Sequence, residues 1–173
     1  MASRARADQA PTKGNAGTRA AVGPGDRVPD FTLATDAGTA VSRASLKGRP
    51  FVLYFYPKDD TAGCTREAVD FSAAAAKFAR LGVTVLGVSK DSLASHGKFR
   101  EKHALRILLG SDPDIAAATA FGVWGEKSLY GRKYMGVERA TFLVDAKGVV
   151  AAAWRKVKVP GHVEAVLQAA KKL

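Results

Sequence analysis

Residues 51–56 read FVLYFY, an unbroken apolar and aromatic run, and residues 83–88, VTVLGV, form a second apolar run. Runs of this length without polar alternation are the pattern of strands buried on both faces. Between them Ala68, Phe71, Ala75, Phe78 and Ala79 recur at helical spacing. Strand, helix and strand in this order predict a parallel pair joined by a right-handed crossover. That unit dictates a sheet with at least one face covered by helix. The 173 residues of the chain suffice for one domain with a sizeable core built around it.

The rest of the chain can be assigned around this unit. Phe31 and Leu33 alternate with polar residues, Asp36-Ala37-Gly38 is a turn signal and Val41 follows, so an N-terminal β-hairpin is expected. Residues 42–46 predict a short helical turn closed by Gly48. Asp91 or Ser92 caps a helix running through Phe99 to His103. Asp112 is placed as the N-cap and Pro113 as the first residue of a short helix ending near Gly122. Residues 124–136 read as a polar, glycine-bearing loop. Residues 139–144 and 149–154 form a hairpin about Ala146-Lys147-Gly148, and a last helix carries Val163, Val166, Leu167 and Ala170 on one face. The order fits an α/β protein of thioredoxin-like fold, a central mixed β-sheet flanked by helices with an N-terminal β-hairpin extension. Ahead of the domain at residues 23–173, residues 1–22 carry Arg4, Arg6, Lys13 and Arg19 against Asp8 alone and hold no large apolar residue but Met1 and Val22. A disordered basic tail is expected there. It lacks the apolar core of a signal peptide and the apolar face of a transit peptide.

The one cysteine of the chain, Cys64, falls where the period changes from strand to helix. Pro57 cannot donate to a sheet ladder and ends the strand. Thr61 can cap the helix, which is expected to begin close to Cys64. A helix start offers unpaired N–H groups and a positive dipole end, and both favour an anion. A thiol there ionises more readily and becomes the nucleophile. The alternative is a small buried hydrophobe, the commonest role of free cysteine. Gly63 and Thr65, its neighbours, are not the apolar company of a core cysteine.

The segment FYPKDDTAGCTREA resembles the active-site segment of peroxiredoxins, specifically the bacterioferritin-comigratory or Q type. Pro57, Thr61 and Cys64 stand at the spacing of the family motif P-x-x-x-T-x-x-C. SKDSLASHGKF, GVWGEKSLYGRKYMGVERATFLVD and GPGDRVPDFTL are also similar to this subgroup, so the likeness runs through residues 23–173. It implies a thioredoxin-like fold and reduction of hydrogen peroxide and alkyl hydroperoxides through a sulfenic acid on Cys64. It assigns Thr61 to hold the thiolate and the peroxide, Pro57 to shield the sulfur, and the N–H groups of Gly63 and Cys64 to donate to the peroxide. It also calls for a distant arginine, and Arg139 stands where the family places it, opening a strand. A guanidinium there favours a thiolate and offers fixed donors to an oxyanion. Glu67, one helical turn past Cys64, is either an ion-pair partner for that arginine or part of a solvated face, the second being the commoner case. Tyr56 supports the site or only packs.

The chain departs from the subgroup at Val69, where many members carry a resolving cysteine. With no second thiol, a sulfenic acid on Cys64 must be resolved from outside by thioredoxin, glutaredoxin, glutathione or a second subunit. The expected protein is a monomer, a weak dimer being the alternative. No cofactor is implied. His96, His103 and His162 are scattered, and neither they nor Cys64 show the spacing of a metal site or of a Cys–His hydrolase. No stretch approaches the ~20 apolar residues of a membrane span, and a cytoplasmic location is expected. The net charge of +11 is spread over scattered residues without a recognition motif, so no specific nucleic-acid partner is expected. The competing reading is a basic thioredoxin-fold module that binds nucleic acid or unfolded protein and carries an incidental cysteine. A peroxide consumption assay separates the two.

Overall fold

The computed structural model describes residues 21–173. The expected tail at residues 1–22 lies outside the described residues except for its last two, of which Val22 packs against the core. Two runs of apolar residues become the adjacent parallel strands β3 (Phe51–Phe55) and β4 (Thr84–Ser89). The N-terminal hairpin is β1 (Thr32–Thr35) and β2 (Ala40–Ser42), and the later strands are β5 (Leu108–Ser111), β8 (Ala140–Val144) and β9 (Val150–Trp154). They form one seven-stranded mixed sheet in the order β2-β1-β5-β4-β3-β8-β9. β4 and β5 are parallel, while β8 runs antiparallel to β3. This is the thioredoxin-like arrangement expected of the sequence.

β3 lies mid-sheet and is buried at every residue. Its pleat sends Phe51, Leu53 and Phe55 to one face and Val52, Tyr54 and Tyr56 to the other. The first face packs on Phe31, Phe121 and Phe142, beneath α4 (Ala116–Ala120). The second packs on Phe71 of α1 (Ala62–Ala73), Phe78 of α2 (Ala75–Arg80), Phe99 of α3 (Leu93–His103) and Val166 of α5 (His162–Ala170). Cys64 belongs to this second layer. Among the described residues no helix is long and apolar enough to cross a membrane.

Four details differ from the expectations. The central helix is broken at Ala74 (φ −92°, ψ −1°) into α1 and α2. Alanine favours helix, so nothing local marks the break. The segment read as a loop over residues 124–136 is a separate hairpin, β6 (Trp124–Leu129) and β7 (Arg132–Val137). Tyr130 (φ 49°) and Gly131 (φ 76°) supply its two left-handed turn residues. Most of its side chains are exposed or half-exposed, so it lacks the alternation that advertises a strand. Pro113 lies in a turn and α4 starts after Ile115 (φ 54°); Asp112 still serves the helix, its carboxylate accepting from the N–H groups of Ala117 and Ala118 at 3.1 and 2.9 Å. His162, expected in a loop, is the first residue of α5 and is buried.

Candidate active site

β3 delivers the chain to the site. Tyr56 N–H still bonds the Val88 carbonyl at 3.0 Å, and Pro57 then ends the ladder. The turn that follows holds Asp60 in the left-handed region (φ 58°) and leads to Thr61, extended, at the N-cap of α1. Thr61 caps by its backbone only. Its hydroxyl donates to the Lys58 carbonyl at 2.8 Å and makes no bond to the helix, contrary to the expected side-chain cap. The N–H groups of Gly63 and Cys64 therefore take no partner from it. α1 begins at Ala62, so Cys64 is the third residue of the helix, inside its first turn. Its relative exposure is 1%.

Arg139 arrives just ahead of β8, the antiparallel neighbour of β3. β8 pairs Ala140 with Phe55, so the residue before Ala140 lies beyond that pair, at the end of β3 where α1 starts. The guanidinium donates through Nη2 to the Cys64 sulfur at 3.3 Å and through Nη1 to Glu67 Oε1 at 2.8 Å. Glu67 sits three residues after Cys64 on the same helix face and is fully buried, which overturns the solvated face as the commoner case. Burial pushes its carboxyl up to about 7 against the lowering pull of Arg139. Its second oxygen and the buried Tyr54 hydroxyl have no hydrogen-bond partner. Arg139 is held in its charged form above the ordinary range; burial opposes this, and Glu67 and Cys64 outweigh it.

The structure thus brings Cys64, Gly63, Glu67 and Arg139 together, with Pro57 and Thr61 on the turn leading in. Tyr56 does more than pack, since its hydroxyl donates to Asp59 at 2.6 Å. The turn is also attached to α3, a contact not expected from the sequence. Asp59 contacts His96 at 2.7 Å, and the exposed Asp60 contacts His103 and Lys102 at 2.8 and 2.7 Å. The signal was available: adjacent aspartates face histidines seven residues apart on one helix. His162 lies 2.8 Å from the Thr141 hydroxyl, and burial, then the Arg139 charge, pushes it down to about 4, so it is neutral near pH 7. None of the three histidines bonds Cys64; their partners are Asp59 and Gly110, Asp60, and Thr141. Among the described residues no cluster of His, Cys, Asp or Glu could hold a metal ion.

The site thus sets a helix start and a charged guanidinium, itself bonded to a buried carboxyl group, beside the one sulfur of the cysteine. The chain is similar to known proteins over most of its length. The AhpC/TSA family matches residues 24–153. A putative peroxiredoxin Bcp of Coxiella burnetii is 48% identical over 143 residues, covering 83% of this chain and 95% of that protein. Peroxiredoxin Bcp of Bacillus subtilis is 49% identical over 147 residues, 85% of this chain and 94% of that one. Among solved structures, peroxiredoxin Q of Xanthomonas campestris superposes with a TM-score of 0.78 at 46% identity, over 82% of this chain and 90% of that chain. The bacterioferritin comigratory protein of the same organism, solved in a study of its alkyl peroxide reduction, gives a TM-score of 0.78 at 45% identity over the same shares.

Proposed function

The chain belongs to the AhpC/TSA family as a peroxiredoxin of the Bcp or Q group, a thiol-dependent peroxidase, and from that premise we propose that Cys64 is its peroxidatic residue and that an outside thiol completes the cycle. The observation that carries this reading is the 3.3 Å contact of the Arg139 guanidinium with the Cys64 sulfur. In the first step the thiolate attacks the near oxygen of a hydroperoxide and the O–O bond breaks. Sulfur becomes sulfenic acid, and the departing alkoxide or hydroxide takes a proton and leaves as alcohol or water. Arg139 holds the thiolate and, with the N–H groups of Gly63 and Cys64, offers donors to the polarised oxygens. Thr61 turns its hydroxyl from Lys58 toward sulfur and peroxide, Pro57 shields the sulfur, and Glu67 fixes the guanidinium. In the second step an external thiol displaces water from the sulfenic acid, and a further thiol releases Cys64 from the mixed disulfide.

Hydrogen peroxide and alkyl hydroperoxides are the substrates, and thioredoxin, glutaredoxin or glutathione is the reductant. Such thiols are kept reduced in the cytoplasm, where we place the protein. Cys64, Glu67 and Arg139 come from one chain, which supports a monomer as the working unit. Residues 23–173 are the catalytic domain and residues 1–22 an appendage. The test is Cys64→Ser. It should abolish consumption of hydrogen peroxide with the fold intact by circular dichroism, whereas residual turnover near that of the unaltered protein would remove Cys64 from the chemistry.

A further inference from the structure

His96 is a fully buried side chain on α3, away from the sulfur. Its Nε2 lies 2.9 Å from the Gly110 carbonyl oxygen on β5 and its Nδ1 lies 2.7 Å from Asp59 Oδ2. A carbonyl only accepts, so Nε2 carries a proton. Asp59 already receives the Tyr56 hydroxyl at 2.6 Å and the Ser95 hydroxyl at 2.8 Å, as an ionised, acceptor-only carboxylate does, so Nδ1 donates as well. The pair is imidazolium and carboxylate, buried together. The backbone of the same turn is held too, because Asp59 N–H donates to Asp91 at 2.8 Å, and Asp91 accepts the Ser89 hydroxyl at 2.6 Å. Charged and titratable groups facing the imidazole are therefore Asp59 from the turn, Asp91 just past β4 and Tyr56 just past β3.

We propose that His96 is a positioning residue of the peroxidase, clamping the turn before Cys64 through Asp59 so that the clamp's release governs access of an external thiol to the oxidised sulfur. The inference rests on the peroxidase reading above. Cys64 is 1% exposed, so a thiol reaches it only after the first turn of α1 or the turn before it moves. Asp60 holds the same turn through exposed contacts with Lys102 and His103, which water weakens. The buried Asp59–His96 pair is the stronger attachment, since breaking it leaves buried charge unpaired. Peroxide attack uses the closed turn and thiol attack uses the open one, so the clamp acts on the two steps in opposite directions.

The clamp also has a pH window. Burial pulls the His96 imidazole down, but Asp59, the Gly110 carbonyl and Asp91 outweigh it and hold it above its ordinary value. Burial raises Asp59, and His96, Tyr56 and Ser95 outweigh that and hold it below its ordinary value. A raised histidine stabilises fully below its unfolded value and the effect is lost as pH rises through its folded one. A lowered aspartate stabilises above its unfolded value and loses the effect as pH falls through its folded one. The clamp therefore holds at neutral pH and loosens in base.

The two half-reactions of the full-length protein can be timed separately by stopped flow, with hydrogen peroxide for oxidation and glutathione for reduction of the preformed sulfenic acid. In His96→Gln and in Asp59→Asn, oxidation should slow and reduction should quicken, each by about five- to tenfold, the factor of one ordinary intramolecular hydrogen bond. The double variant should change no further, because both residues serve one contact. The unaltered protein should show the same opposed drift as pH rises past the His96 titration, and His96→Gln should lack it. Ser95→Ala, which removes a single donor from Asp59, should give a smaller shift of the same sign even where the larger changes impair folding. Rates unchanged in folded variants, or both rates falling together, would overturn the proposal. An unaltered protein that forms no sulfenic acid would instead overturn the peroxidase reading beneath it.

Discussion

Gly63 shows how closely the reactive sulfur and its arginine are built together. Its φ is not positive, so no backbone strain demands glycine there. Space does, because a Cβ at this position would lie 3.2 Å from Arg139 Nη2. The guanidinium rests on the helix backbone and reaches the sulfur from there. Gly63→Ala should leave the melting temperature level or raise it, since alanine gains up to about 1 kcal/mol over glycine in a helix. The methyl group displaces the flexible end of Arg139 by a few tenths of an ångström, so oxidation by peroxide should slow by about tenfold. Stopped-flow oxidation beside thermal melting checks both halves, and an unaltered rate would mean that the contact has no kinetic role. At this scale the sequence pointed to Arg139 beside Cys64, and the two are in contact at 3.3 Å, with Pro57 and Thr61 on the turn leading in. It was a poor guide to Glu67, whose burial depends on an arginine 72 residues away. It was silent on Asp59 and His96, whose pairing requires α3 to lie beside the turn.

Elements were legible where their burial pattern was strong. β3, β4 and the apolar face of α5 could be read because core burial fixes their periodicity. The hairpin β6–β7 could not, being exposed and specified by its turn residues rather than by a hidden face. The start of α4 is hidden from the sequence for a related reason. Asp112 was identified as a capping residue, but it acts at a distance, with Ile115 in a left-handed conformation between it and the helix. Both its carboxylate oxygens receive backbone N–H groups in a buried setting. Asp112→Ala leaves those donors unsatisfied and should cost about 1–2 kcal/mol, read as a lower urea midpoint with an unchanged slope. A loss below a few tenths of a kcal/mol would show that another group or water caps α4.

For the molecule as a whole, the decisive fact is a single thiol in a closed fold. Val69, five residues after Cys64 on α1, is 40% exposed, whereas Cys64 is 1% exposed, so the two point to different surroundings on one helix. Nothing within the chain can form a disulfide with the oxidised sulfur. One equivalent of hydrogen peroxide should therefore add one oxygen to the intact mass, and excess peroxide should add a second and a third as sulfinic and sulfonic acids form. Two chains joined through Cys64 are the competing fate. A disulfide needs Cα atoms no more than about 7 Å apart. Two sulfurs that are each buried beneath the start of a helix meet that condition only if both helices open at once. A small thiol needs one opening, so added glutathione should capture the sulfenic acid as a mixed disulfide, and a second thiol should release it. Turnover should depend wholly on external thiol and stall without it. Mass spectrometry of the non-reduced protein after one equivalent of peroxide decides the matter. A predominant covalent dimer, with no oxygen adduct captured by a sulfenic-acid reagent, would make the second subunit the resolving partner and replace the monomeric cycle with a dimeric one.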